Sequence, residues 1–266
     1  MTTPTQSVLE RPAATAAGEA LRRLGLGSLK ATLAPERACV RCQAMTSSGI
    51  AATVEDEDGV SHGVWFCSRL CRSLFEVTAH PDDYVSEIVP RLYHGASPKD
   101  FGSAWSSDAV RSLRSGRGVF LPGGAGIGKT HYAAALVRAT ISDFVNENTP
   151  GGRPDITWAR CPDILIRIRS TFGDKSQERE RDVVSAYRRA GLLVIDDMGA
   201  EKVTDWSLSA LYAILAERID ELRPTIITSN MGLKRIDQWE PRIASRLASF
   251  ATVILPDIDR RLELRS

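Results

Sequence analysis

At 266 residues, with 43% apolar residues and 25% charged, the chain is long enough to bury one sizeable core and to carry a small module beside it. A net charge of +1 excludes binding to nucleic acid through bulk positive charge, so any such surface must be a local patch. No apolar run approaches the length of a membrane span, and Glu10 and Arg11 stand where a signal peptide needs its apolar segment; a cytoplasmic protein with no membrane partner is the expectation.

Residues 1–20, rich in Thr, Ala and Pro, read as a loose tail, and Leu21, Leu24, Leu26, Leu29 and Leu33 as a short helix or loop interrupted by Gly25 and Gly27. Cys39-x-x-Cys42 and Cys67-x-x-x-Cys71, separated by roughly two dozen residues, have the paired-ligand spacing of a structural Zn²⁺ site. Each pair can present two sulfurs to one metal from a tight turn, while the arm between them folds back as a loop or hairpin through the acidic turn Glu55-Asp56-Glu57-Asp58-Gly59. Unrelated core cysteines, or His62 in place of one thiol, are the alternatives, and Cys161 reads as a plain core thiol. Trp65, Phe66, Leu70, Leu74 and Phe75 supply the small core that an ion would complete. Pro90 to Phe101, full of turn formers, reads as a linker, with Tyr93 or Phe101 placed to pack near an adenine. The expected division is therefore 1–89, tail and zinc-binding module, and 90–266, a nucleotide-binding domain.

In that second part the apolar run Gly118 to Leu121 is followed by Gly123, Gly124, Ala125, Gly126, Ile127, Gly128, Lys129 and Thr130, spaced as G-x-x-x-x-G-K-[ST]. The glycines let successive N–H groups turn inward as a nest for phosphates. Lys129 would reach the β- and γ-phosphates of ATP, and the Thr130 hydroxyl would ligate Mg²⁺. His131 opens the alanine-rich helix whose N-terminus adds partial positive charge, and completes the candidate nucleotide-binding set. A strand over Asp155–Ala159 and helical segments over Ile164–Phe172 and Arg179–Arg189 lead to Leu192-Leu193-Val194-Ile195-Asp196-Asp197. Carboxylates at the end of a buried strand are costly without a cation, so Asp196 is assigned to Mg²⁺ and Asp197 to polarising the attacking water. Seven arginines, Arg160, Arg167, Arg169, Arg179, Arg181, Arg188 and Arg189, concentrate here as a candidate surface for single-stranded DNA or as solvated helix faces. A helix over Thr204–Leu222 precedes the strand Pro224-Thr225-Ile226-Ile227-Thr228-Ser229-Asn230, whose Asn230 could hold the lytic water or the γ-phosphate, or cap a turn. Arg242 and Arg246 stand at i and i+4, on one helix face or as a solvated pair. Thr252–Leu255 reads as the last of five strands that alternate with helices, which predicts a parallel α/β sheet with its ligand at the carboxyl edge.

GGAGIGKTHYAAAL, LLVIDDMGAEK, PTIITSNM and RIASRL, in this order, resemble the AAA+ ATPases of the DnaC/DnaI helicase-loader and IstB transposition-helper family from about Pro90 onward. The resemblance implies Walker A at Gly123–Thr130, Walker B at Asp196 and Asp197, sensor 1 at Asn230, an arginine finger at Arg246 with Arg242 beside it, and sensor 2 at Arg260 or Arg261. The second Walker B carboxylate is Asp where many AAA+ proteins have Glu, a departure that puts fast hydrolysis in doubt. It further implies ATP hydrolysis, single-stranded DNA and a replicative helicase as partners, and a homo-oligomer joined through the finger. A zinc-binding N-terminus favours a helicase loader; a transposition helper, or an adaptor in which ATP only sets conformation, are the other readings.

Overall fold

The computed structural model describes residues 39, 41–42, 50–55, 61–146, 149, 153–172, 178–199 and 204–259. The chain divides into two units, Met1–Pro81 with Val145–Arg153, and Asp82–Phe144 with Pro154–Ser266. The N-terminal tail, the leucines from Leu21 to Leu33, the tip of the acidic turn and Arg260 and Arg261 lie outside the described residues.

In the first unit the arm between the cysteine pairs is an antiparallel hairpin, β1 (Ile50–Glu55) against β2 (Ser61–Phe66), with Ile50 opposite Phe66 and Glu55 opposite Ser61. Val64 and Phe66 are buried while Trp65 is exposed, the alternation of a strand with one wet face. Helix α1 (Arg69–Ala79) starts at Ser68, whose extended backbone and hydroxyl, accepting the Cys71 N–H at 3.2 Å, cap it. Phe75 on α1 meets Phe66 with ring centroids 5.4 Å apart, and Cys39, Val64 and Cys71 close this small core.

In the second unit the elements follow in order: α2 (Pro81–Ile88), α3 (Ser107–Arg114), β3 (Val119–Pro122), α4 (Lys129–Thr140), β4 (Ile156–Arg160), α5 (Cys161–Ser170), α6 (Glu180–Arg189), β5 (Leu192–Met198), α7 (Asp205–Asp220), β6 (Thr225–Ser229), α8 (Leu233–Trp239), α9 (Pro241–Leu247) and β7 (Ala251–Thr252). The five strands form one parallel sheet in the order β4-β5-β6-β3-β7. The central strands are closed on both faces: every residue of β3 and β6 is buried, including Thr225, Thr228 and Ser229 of β6, as in a parallel sheet covered on both sides. From β3 the chain leaves for the far edge and returns through β5 and β6, so the loops after β3, β5 and β6 share the carboxyl edge of the sheet. Among the described residues no helix is long and apolar enough to cross a membrane.

Three elements differ from the sequence reading. The last strand pairs over only Ala251 and Thr252, opposite Val119 and Phe120, instead of Thr252–Leu255; beyond Val253 the edge has no further partner and Ile254 is exposed. The stretch from Pro90 is no slack linker. It forms two 3₁₀ segments, Arg91–Tyr93 and Pro98–Ala104, the second opened by a capping box between Ser97 and Asp100. Arg138 of α4 holds it by donating to the carbonyl of Ala96 at 2.7 Å, to that of His94 and to the Asp82 carboxylate. The arginine-rich segment is also less open than its charge suggests, since Arg160, Arg167, Arg181 and Arg188 pair with Asp163, Glu178, Asp182 and Glu217.

A sixth cation was not visible as structural at all. Arg218 of α7 is fully buried and donates to Thr225 Oγ1 (2.9 Å), to the carbonyls of Tyr187 (2.9 Å), Arg188 (3.1 Å) and Ala190 (2.8 Å) at the end of α6, and to that of Pro224 (2.6 Å). Burial pulls its proton affinity down, but every bond it makes is to an oxygen, and three of them fall on the carbonyls of Tyr187, Arg188 and Ala190, at the helix end where intrahelical donors run out. Arg218→Met should therefore leave several buried acceptors unpaired and lower stability by about 3 kcal/mol or more. A fall in the urea midpoint with an unchanged slope would report it; an unchanged midpoint would show that water replaces the guanidinium.

Candidate functional site

The phosphate loop leaves β3 and enters α4 through Gly128, which has φ 96°, and Gly126 has φ 85°; both are left-handed conformations that strain a residue with a β-carbon. Gly128 starts α4 without any side-chain cap, so the first turn keeps its N–H groups directed at whatever lies over the loop. The carboxylate of Asp259 lies close by: a methyl group on Gly126 would fall 2.3 Å from Asp259 Oδ1. Lys129 is almost buried, and its Nζ donates to the carbonyls of Gly123 (2.9 Å) and Gly124 (2.5 Å) and to Asn230 Oδ1 (2.8 Å). The structure thus brings together the loop lysine and the strand-end asparagine, 101 positions apart, because β3 and β6 are neighbours.

Asp196, buried at the end of β5, accepts hydrogen bonds on Oδ1 from the Thr130 hydroxyl at 3.0 Å and the Thr228 hydroxyl at 2.6 Å. Asp197 follows with φ 57°, at a break in the β5–β6 register between Ile195 and Met198, and its N–H donates to Thr228 Oγ1 at 2.9 Å. The Asp196 carboxylate thus faces the loop hydroxyl, while the backbone turns sharply at the residue that carries the second carboxylate. Thr228 escaped the sequence reading, since a threonine in an apolar strand reads as an ordinary β-former. Its signal would have been its place two residues before Asn230. The set also fits Mg²⁺ by its chemistry: a hydroxyl and a buried carboxylate, already within 3.0 Å of each other, are the hard oxygen donors that this ion takes.

Burial raises the Asp196 carboxyl above its ordinary range, the Asp197 charge adds to this, and the Thr228 and Thr130 hydroxyls oppose it. A carboxyl whose folded pKa is raised contributes stability that is complete below its unfolded pKa and is lost as pH rises through the folded value. Asp196→Asn, whose Oδ1 still accepts both hydroxyls, should therefore melt a few degrees higher than wild type near pH 7 without metal or nucleotide, with the gain vanishing near pH 4. Melting curves across this range decide it; a lower melting temperature for the variant at neutral pH would refute it.

Around the start of α4 the strap from Pro90 supplies aromatic groups. Phe101 packs on Tyr132 with centroids 4.6 Å apart and on His131 at 5.5 Å, Tyr93 meets His131 edge-on at 6.2 Å, and His131 Nε2 lies 2.7 Å from Asp100 Oδ2. Tyr93 and Phe101 thus flank the residue next to Thr130, beside the phosphate loop. Arg242 and Arg246 sit on α9, elsewhere. Arg242 forms a two-point pair with Glu240 at 2.8 and 3.0 Å and stacks over Tyr212, while Arg246 reaches Asp220 at 2.9 Å.

In the first unit the four sulfurs of Cys39, Cys42, Cys67 and Cys71 all lie within 4.8 Å of one another, with Cys42 and Cys71 each 3.4 Å from Cys67. Thiolates around Zn²⁺ at about 2.3 Å stand about 3.8 Å apart, so the donor set and its spacing fit that ion. Burial opposes a charge on Cys39, yet the backbone N–H groups of Cys42, Cys67 and Arg41 at its sulfur bring it down to about 7. The Cys71 side chain raises Cys67 and burial raises Cys71, a mutual cost that a dication offsets.

A parallel sheet in this strand order, with a phosphate loop after β3, an acidic pair after β5 and an asparagine after β6, defines an AAA+-type P-loop nucleotide-binding core. The chain belongs to the IstB-like ATP binding protein family, which matches residues 106–258. It is 30% identical over 176 residues to a putative ATP-binding protein in an insertion sequence of Mycobacterium tuberculosis, covering 66% of this chain and 62% of that one. It is 24% identical over 118 residues to the replicative helicase loader DnaI of Bacillus subtilis, covering 44% of this chain and 34% of that one. The crystal structure of a DnaI shares the fold at 22% identity and a TM-score of 0.51, over 67% of this chain and 99% of that one. The chain thus spans less than two thirds of the length of both sequence relatives.

Proposed function

We propose that the protein is an ATPase that loads a replicative helicase onto single-stranded DNA in the cytoplasm, with residues 1–89 gripping the helicase and residues 90–266 using ATP. The observation that carries the choice is the four-thiol cluster of the first unit ahead of an IstB-like core, because the helicase-loader reading of the sequence rests on a zinc-stabilised N-terminal module. Lys129 would leave the Gly123 and Gly124 carbonyls for phosphate oxygens while Asn230 holds the water or the γ-phosphate. Thr130 and Asp196 would hold Mg²⁺, which neutralises charge developing on the phosphates. Asp197 would orient and deprotonate the attacking water, and Arg260 would read the nucleotide state from the C-terminal segment. A second reading, a transposition helper, is favoured by the similarity to the insertion-sequence protein.

The test is turnover and capture. Wild type should hydrolyse MgATP slowly and faster with single-stranded DNA, Lys129→Ala should lose nucleotide binding or turnover, and Asp197→Asn should bind ATP without turning it over. The host's replicative helicase should be retained on the immobilised protein. Normal hydrolysis by Lys129→Ala would mean that the site is misassigned, and retention of a transposase in place of the helicase would select the second reading.

A further inference from the structure

A hydroxyl that no motif names ties the Asp196 carboxylate to the backbone of Asp197. Thr228 is fully buried on β6, and its hydroxyl has one hydrogen, which goes to Asp196 Oδ1 at 2.6 Å. Its lone pair is then what accepts the Asp197 N–H at 2.9 Å. The result is a one-way chain, Asp197 N–H to Thr228 O–H to Asp196 Oδ1, in which each bond polarises the next. At its first end the chain satisfies the backbone of a residue held at φ 57°, a conformation a non-glycine residue keeps only when its surroundings enforce it. At its other end both hydroxyl hydrogens, from Thr228 and Thr130, fall on the same carboxylate oxygen, so neither occupies Oδ2.

We infer that Thr228 is the positioning residue of this site: its hydroxyl sets which oxygen of Asp196 serves the metal and fixes the backbone turn that aims Asp197. The inference rests on the ATPase reading but concerns a residue outside every motif that supports it. A buried hydroxyl used only to satisfy strand chemistry needs no more than a backbone partner; this one also donates to the Asp196 carboxylate, so it joins one carboxylate to the backbone that carries the other. Groups that orient a ligand from behind typically change metal affinity or activity by about 10- to 100-fold when removed.

The experiment compares Thr228→Val, which keeps the shape and loses the hydroxyl, with Thr228→Ser, which keeps the hydroxyl and loses the methyl. A fluorescent ATP analogue is titrated without Mg²⁺ and at increasing Mg²⁺, and turnover is followed alongside. Without Mg²⁺ all three proteins should bind alike, which also reports that they are folded. The Mg²⁺ concentration that half-maximally tightens binding should rise about tenfold or more in Thr228→Val and stay near wild type in Thr228→Ser. The turnover number should fall in Thr228→Val with KM for MgATP at saturating Mg²⁺ unchanged, and recover in Thr228→Ser. A wild-type Mg²⁺ response in Thr228→Val would overturn the inference alone, and so would equal damage in both variants, since the methyl would then be what matters. If wild type itself shows no coupling between Mg²⁺ and nucleotide, the ATPase reading fails and takes this role of Thr228 with it.

Discussion

Arg246→Ala is expected to reduce ATP turnover by about a thousandfold or more while leaving the nucleotide affinity of the isolated subunit almost unchanged. The AAA+ resemblance implies that Arg246 is a finger, and the topology says from which subunit it would act. Arg246 bonds to Asp220, which ends α7 shortly before β6 begins, and α9 itself leads into β7, whose Ala251 stands opposite the first residue of β3. Both relations put Arg246 toward the amino edge of a parallel sheet whose phosphate loop is at the carboxyl edge, a strand length or roughly 15 Å away. A guanidinium so placed serves a phosphate only if that phosphate is held by the next subunit, a head-to-tail contact that propagates into an arc or spiral unless it closes. Loss of the exposed Arg246–Asp220 pair is no rival explanation, because such pairs contribute at most about 1 kcal/mol. Asp220→Ala supplies the control: it breaks the same pair but keeps the arginine, and should retain turnover. Mixing then isolates the finger. Lys129→Ala subunits cannot use ATP but present Arg246, Arg246→Ala subunits hold ATP but present none, and together they should regain part of the activity each lacks. No recovery at any ratio, despite demonstrated co-assembly, would place the action of Arg246 within its own chain.

What the sequence made legible follows from how far apart the partners lie. The phosphate loop was readable because its geometry is local: glycines, lysine and threonine act within eight positions of one another, on a strand-to-helix turn that composition alone announces. Asp196 and Asp197 were readable because a carboxylate ending an apolar run contradicts its surroundings. Thr228 contradicts nothing in its own strand, and its meaning appears only when β6 is laid beside β5. The strap from Pro90 misled for the opposite reason. Turn formers dominate it, yet what makes it part of the core is Arg138, some forty positions later, together with the packing of Phe101 on Tyr132. A count of cations likewise does not reveal the acids that the fold sets beside some of them, as with Arg188 and Glu217.

Stripping metal from the purified protein is expected to unfold the first unit and leave the nucleotide-binding core standing. The four sulfurs lie within 4.8 Å of one another beside a small core whose other buried apolar members, among the described residues, are Val64, Phe66 and Phe75, and an ion that ties Cys39 and Cys42 to Cys67 and Cys71 offsets the conformational entropy of ordering the hairpin and α1. Structural Zn²⁺ contributes about 10–16 kcal/mol of apparent binding free energy in small domains of this kind, most of it expressed as folding. Metal analysis of protein purified without chelator should find one Zn²⁺ per chain. After chelation at neutral pH, the near-ultraviolet signal of Trp65 should collapse, while nucleotide binding through Lys129 should persist. Acid should mimic the chelator, because four protons compete with the ion for the same thiolates, and release should grow as pH falls. A Cys39, Cys42, Cys67 and Cys71 to Ser variant should copy the stripped protein and lose the helicase on immobilised columns while still binding ATP. A quadruple variant that melts as wild type does, from protein that never held metal, would make the cluster a set of core thiols and remove the basis for a metal-built grip.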